Sequence, residues 1–381
     1  ELASEENMSV ALDAAKKSIV LLKNNNQLLP LEKEGEKIAI IGPLANDKNS
    51  PLGNWRSQAV YNSAISVVEG MDKYNGNKTI FQKGVDLYYG KTNFHNRVKI
   101  NYDDRSDFSK AKFAAANSDV VIMVLGEEGN QSGEGRSRTN IGLPGLQLEL
   151  LKEISKVNNN IVLVVMSGRP LDLTWEDENI PAIVQAWHLG SKSGDAIAQV
   201  LYGDYNPSGK LTMSFPRNVG QVPVYYNFKN TGRPSTSIEQ VTNSGYADVE
   251  NSPLYPFGFG LSYTNFKYSN LTIDSSELDY NSKINISVKI ENTGFFTGKE
   301  VAQLYIRDIV GSIARPMKEL KGFEMIELAP GESKVVNFEI DSSLLEFYTY
   351  ENKWEAEVGK FHAFIGTNSD VSDFKEFHLV K

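Results

Sequence analysis

The sequence predicts two folded parts of different class. The first is α/β, an αβα sandwich on a mostly parallel six-stranded sheet, and the second is an all-β sandwich. Three observations carry this. Short apolar runs rich in β-branched residues recur between residues 37 and 216, and helical patterns separate several of them. After Phe266 the helical period disappears and alternating runs follow one another to the end of the chain.

Taken in order, Met8, Leu12, Ala15, Ile19 and Leu22 form the apolar stripe of an opening helix, and Asn24-Asn25-Asn26 ends it. That stripe needs a surface to cover it. Runs at 38–41, 79–82, 120–126, 161–167, 182–187 and 211–215 are too short for helices and read as six strands. Helical patterns fall at 108–117, at 146–157, where Leu146, Leu150, Ile154 and Val157 share a face, and at 193–201. Continuous apolar strands alternating with helices are covered on both faces, which is the signature of a largely parallel sheet.

Residues 217–265 are dense in Pro, Gly, Asn, Ser and Tyr and read as an ordered connector, since their aromatic content is too high for a flexible tether. Runs at 267–273, 284–291, 301–307, 318–328, 334–340, 354–358 and 360–366 then give about seven short strands, the pattern of an immunoglobulin-like or fibronectin type III-like sandwich. The expected organisation is therefore 1–36, an entry helix and connector; 37–216, the αβα sandwich; 217–265, the ordered connector; and 266–381, the β-sandwich.

Composition narrows the function. With 39 Lys and Arg against 48 Asp and Glu, the net charge of -9 argues against a nucleic-acid partner and suits a neutral substrate. The longest apolar runs, 120–125 and 161–166, fall far short of the ~20 residues of a membrane-spanning helix. There is no cysteine, hence no thiolate nucleophile and no cysteine-based metal site. His95, His188, His362 and His378 are scattered without the spacing of a helical metal site, so neither a metal nor a cofactor is expected. The sequence begins at Glu1, not Met, and no targeting segment precedes the first helical pattern, which raises the expectation that an upstream part is missing.

Three motif-like stretches carry no chemistry. Residues 203–210 resemble a phosphate loop but have the wrong glycine spacing and Leu211 where Ser or Thr would bind magnesium. Gly258-Phe259-Gly260 lacks the third glycine of a dinucleotide fingerprint. Ser193, in Gly190-Ser191-Lys192-Ser193-Gly194, reads as a helix cap.

The informative stretch is residues 126–138, which leave the carboxyl end of a buried strand, where parallel sheets place their ligands. It carries Glu127, Glu128, Glu134, Arg136 and Arg138 among Gly126, Gly129, Gly133 and Gly135. A site and a solvated loop of charge pairs both fit this composition. Trp55, after the first strand, stands at the same edge and either stacks on a ligand or packs there, while Trp175, Trp187 and Trp354 read as core or interdomain residues.

In order along the chain stand Ser18-Ile19-Val20-Leu21-Leu22-Lys23-Asn24, Leu29-Pro30-Leu31, the 126–138 loop with Leu143-Pro144, Gly203-Asp204-Tyr205-Asn206-Pro207-Ser208-Gly209-Lys210-Leu211, and Tyr255-Pro256-Phe257-Gly258-Phe259-Gly260-Leu261-Ser262-Tyr263. Glu291-Asn292-Thr293-Gly294, Leu320-Lys321-Gly322-Phe323-Glu324 and Pro330-Gly331-Glu332 follow. This series closely resembles the C-terminal two thirds of glycoside hydrolase family 3, and within it the bacterial periplasmic β-glucosidase type.

The resemblance implies a fibronectin type III-like final domain and an N-terminal (β/α)8 barrel, absent from this sequence, that would carry an Asp nucleophile. It implies that Glu134 is the general acid/base, and it departs from many members in having Ser137, not Asp, before Arg138. Arg138 then either holds the loop by pairing with Glu127 or touches substrate. The implied activity is release of a terminal β-linked glucose, or of xylose, by a retaining hydrolase, periplasmic or extracellular, whose partners are a β-linked oligosaccharide or glucoside and the parent's barrel. This chain alone is then expected to be inactive. A non-catalytic carbohydrate-binding or scaffolding module is the alternative. The glycine-rich segment 130–136, with few side chains to pin it, is expected to be mobile, with Glu134 largely exposed.

Overall fold

The computed structural model describes residues 3–56, 58–234, 239 and 241–381. Two compact units divide between Gly209 and Lys210. The first runs α1 (Glu5–Ser18), β1 (Val20–Asn24), β2 (Glu34–Ile41), α2 (Val67–Met71), β3 (Gly76–Gln82), α3 (Phe108–Ala116), β4 (Val120–Gly126), α4 (Gln147–Ser155), β5 (Ile161–Met166), α5 (Thr174–Asn179), β6 (Ala182–Gln185) and α6 (Ser193–Leu201). Its sheet has six strands in the order β1-β6-β5-β4-β2-β3. Only β1 is antiparallel to its neighbour. Every residue of β4 and β5 is buried, so these central strands are covered on both faces.

The predicted opening helix is shorter than its stripe. The Ser4 side chain caps α1, Glu5 and Glu6 lie in the first turn and Lys16 and Lys17 in the last, all favourable to the helix dipole. Ile19 is already extended, and Val20, Leu21 and Leu22 enter the sheet fully buried. The stripe ends on a strand because β-branched Ile19 and Val20 fit the edge that β6 leaves open. The sixth strand is therefore 20–24. Residues 211–215 stay outside the sheet and bond instead to 254–259, as in Leu211 N to Phe259 O and Phe215 N to Tyr255 O, both 2.8 Å. Ser193 is the first residue of α6 and not its cap: Lys192 holds the cap position, and Ser193 Oγ is buried without a partner.

The second unit contains β7 (Phe266–Ile273), β8 (Glu277–Leu278), β9 (Ile284–Asn292), β10 (Gly298–Asp308), β11 (Glu319–Leu328), β12 (Ser333–Ile340), β13 (Phe347–Tyr348), β14 (Trp354–Glu355), β15 (Gly359–Gly366) and β16 (Lys375–Leu379). A five-stranded sheet, β11-β10-β15-β16-β8, faces a three-stranded one, β12-β9-β7, across a core that includes Ile286, Val288, Leu304, Ile326, Phe361 and Phe377. Strands β8, β13 and β16 were not predicted.

The aromatic-rich stretch packs within this unit: Tyr226 stacks on Phe257 at 4.2 Å and meets Tyr305 edge-on at 6.0 Å. Lys210, the lysine of the phosphate-loop lookalike, has its Nζ 3.0 Å from the buried Glu300 carboxylate, which also accepts from Tyr268 at 2.9 Å. Its ammonium is a structural charge. Trp354 is mostly exposed on the small β13–β14 hairpin, edge-on to Tyr348, rather than in a core. Among the described residues no helix is long and apolar enough to cross a membrane.

Candidate active site

Strand β4 ends at Gly126, whose φ of 140° belongs to glycine. A Cβ there would stand 1.8 Å from the Met166 carbonyl oxygen of β5. The chain then turns out of the sheet at Glu127 and Glu128, both buried. A buried carboxylate must find charge or hydrogen-bond partners. Glu127 finds two guanidinium groups, with Arg138 Nη1 at 2.6 Å and Arg169 Nε at 3.1 Å.

Glu128 caps the single turn at 129–131, accepting from Asn130 N at 2.7 Å and Asn130 Nδ2 at 2.9 Å, and also from Thr92 Oγ1 at 3.0 Å. Burial raises its carboxyl above the ordinary range, against the pull of those bonds and of Arg56. Beside them the His188 ring, after β6, is bonded to the Glu127 backbone. Burial pushes its pKa down to about 4, so it is neutral at pH 7.

Glu134 differs from both. It occupies a tight turn in which Arg136 N donates to Gly133 O at 3.2 Å. The flanking glycines have φ of 105° and 68°, and the positive value after Glu134 is what a type II turn demands. Its carboxylate is exposed, and among the described residues it forms no ion pair or side-chain hydrogen bond. Of the three loop glutamates it alone is free to meet a substrate. The loop is more firmly held than its glycine content predicts: Asn130, Gln131 and Ser132 are buried, and only 133–135 stand out as an exposed run. The anchors are the Glu128 carboxylate and backbone carbonyls, pairings that composition does not reveal.

Trp55 is 70% exposed and lines a cavity of about 1030 Å³ together with Tyr61, Tyr88, Phe94 and Glu128. Its ring centroid lies 6.2 Å from that of Phe94, and the Arg136 guanidinium sits 6.0 Å from the same Phe94 ring. Asn54, next to Trp55, is 7% exposed, its side-chain polar atoms find no partner among the described residues, and it also lines the cavity. Arg138 lines a smaller hollow of about 210 Å³ with Arg97 and Arg136. Its guanidinium is engaged by Glu127 and by the Gly142 carbonyl at 3.1 Å. The sequence reading missed Asn54, His188 and Arg169, which reach the loop from segments remote in sequence and carry no motif of their own.

Comparison with known proteins identifies both folded parts. Residues 19–263 match the glycosyl hydrolase family 3 C-terminal domain and residues 300–369 the fibronectin type III-like domain. The chain is 43% identical to the periplasmic beta-glucosidase of Salmonella typhimurium over 94% of its own length and 48% of that protein. It is 38% identical to a beta-xylosidase of Formosa agariphila, over its whole length and 51% of that protein. Superposition on the crystal structure of a beta-glucosidase from Listeria innocua in complex with glucose gives a TM-score of 0.89 at 35% identity, covering 99% of this chain and 50% of that one. The chain thus spans about half the length of these relatives. On these grounds it belongs to glycoside hydrolase family 3.

Proposed function

We propose that this chain is the C-terminal portion of a retaining, exo-acting β-glucosidase in which Glu134 is the general acid/base. The observation that carries this is the contrast within one loop: Glu127 and Glu128 are buried and bonded, whereas Glu134 is presented on a glycine turn at the carboxyl edge of the sheet.

In the first step the Glu134 carboxyl gives its proton to the glycosidic oxygen as the C1–O bond breaks, while a nucleophilic carboxylate from the barrel of the parent protein bonds to C1. In the second, the Glu134 carboxylate takes a proton from water as the water oxygen bonds to C1 and displaces that carboxylate. Retaining chemistry needs the two carboxyl groups about 5 to 5.5 Å apart, so this chain alone, without the nucleophile, is inactive. Trp55 stacks on the leaving sugar. The terminal sugar is glucose; the likeness to a named beta-xylosidase supports xylose as the second reading. The name of the Salmonella relative supports a periplasmic location.

The test is Glu134→Ala in the full-length protein. Its kcat/KM on phenyl β-glucoside should fall roughly 100- to 10,000-fold, and that on the 2,4-dinitrophenyl glucoside, whose leaving group needs no proton, far less. Equal losses on the two substrates would remove Glu134 from this role.

A further inference from the structure

Arg169 leaves the carboxyl end of β5 in Ser167-Gly168-Arg169-Pro170, 35 residues after Glu134 in the sequence. Its Nε lies 3.1 Å from the Glu127 carboxylate. Its Nη2 donates to the Arg136 carbonyl at 2.9 Å and also to the Gln131 carbonyl. Those two carbonyls bracket residues 132–135, the short excursion that contains Glu134. One planar guanidinium therefore closes both ends of the excursion and ties them to the buried carboxylate from which the loop departs.

The neighbouring backbone is shaped for this. A Cβ on Gly168 would lie 2.1 Å from Ser132 Oγ, so the loop rests directly on the segment that delivers Arg169. The other ties act on one side at a time. Gly133 lies against Asn54, and the Arg136 side chain donates to the Phe94 carbonyl. Among the described residues Arg169 is the side chain that spans the excursion, and its fork of fixed donors lets Nε hold the Glu127 carboxylate while Nη2 serves both carbonyls.

We infer that Arg169 is the positioning residue for the acid/base, setting where the Glu134 carboxyl stands without itself touching substrate; this rests on the reading of Glu134 above. Displacement of a catalytic group by about 1 Å can cost about 100-fold in rate. The loss should fall on the step that needs the proton.

The experiment uses the full-length protein with Arg169→Met, Arg169→Lys, Glu134→Ala and the Arg169→Met/Glu134→Ala double variant. It measures kcat/KM on phenyl and 2,4-dinitrophenyl β-glucosides, and thermal melting. Arg169→Met should lose about 10- to 100-fold on the phenyl substrate and no more than about threefold on the dinitrophenyl one. Arg169→Lys keeps the charge but has one nitrogen in place of Nε and Nη2, so it cannot hold the Glu127 carboxylate and the two carbonyls in the same geometry and should show the same selectivity to a lesser degree. This variant answers the question if the Met variant fails to fold. On the phenyl substrate the double variant should be no worse than Glu134→Ala.

Equal losses on both substrates, additive losses in the double variant, or no loss at all would overturn the inference. A Glu134→Ala variant without leaving-group selectivity would instead bring down the acid/base reading, whatever the Arg169 variants do.

Discussion

A Cβ placed on Gly133 would lie 2.4 Å from Oδ1 of Asn54, a side chain that is itself buried. The turn that presents Glu134 and the segment that presents Trp55 thus meet through a residue without a side chain, so the two side chains are held in register by direct contact. Gly133→Ala adds a methyl where none fits, at a φ of 105° that L-residues avoid. We expect a local cost of about 1 to 3 kcal/mol, absorbed by the exposed turn, not the core. The melting temperature should change little, while kcat/KM of the full-length protein on phenyl β-glucoside drops. A large fall in melting temperature with unchanged kinetics would contradict this.

Trp55 offers a mostly exposed ring to a cavity that is otherwise lined by Tyr61, Tyr88 and Phe94. If it carries the leaving sugar, the effect of Trp55→Ala grows with what there is to carry. In the full-length protein methyl β-glucoside should be hydrolysed at nearly the wild-type kcat/KM, whereas a β-linked disaccharide should lose about 10-fold, the equivalent of about 1.4 kcal/mol of stacking. An equal effect on both would assign Trp55 to packing.

Glu176, in the first turn of α5, is buried with Oε1 unpartnered. Burial raises its pKa from 4.5 to about 7, with Asp172 adding to the rise and its own backbone and Lys152 opposing it. Because the folded value lies above the unfolded one, its contribution to stability is complete below about pH 4.5 and is lost as the pH rises through 7. The loss approaches about 3 kcal/mol above pH 8. Glu176→Gln stays neutral throughout, so thermal melts should show the variant gaining on wild type between pH 5 and pH 8. Parallel curves for the two proteins would refute the assignment.

What the sequence disclosed and what it withheld follow from the range of the interactions involved. Strands β4 and β5 were legible because a run of apolar, β-branched residues between turns has few other fates. Residues 19–24 were misread because Ile19 and Leu22 satisfy a helical stripe and a buried strand equally. The open edge of β6 decides between them, and no local pattern encodes that edge. In the loop, composition left a site and a set of charge pairs both open, and only the family resemblance singled out Glu134. Division of labour among its three glutamates became plain only when Arg138, Arg169 and Thr92 were seen reaching them, from 11, 42 and 36 residues away. Arg169 had no signal of its own, since what it binds are carbonyl groups that any residue possesses.

The hydrogen bonds by which Arg169 grips this loop fall outside residues 132–135, at the carbonyls of Gln131 and Arg136 and the carboxylate of Glu127. Lengthening or shortening the stretch between those fixed points alters how far Glu134 projects, and the cost does not reach the sheet beneath. Reach and folding are thereby uncoupled. A sandwich of this design can be refitted to a differently shaped substrate by insertions and deletions at one place, without repacking its interior.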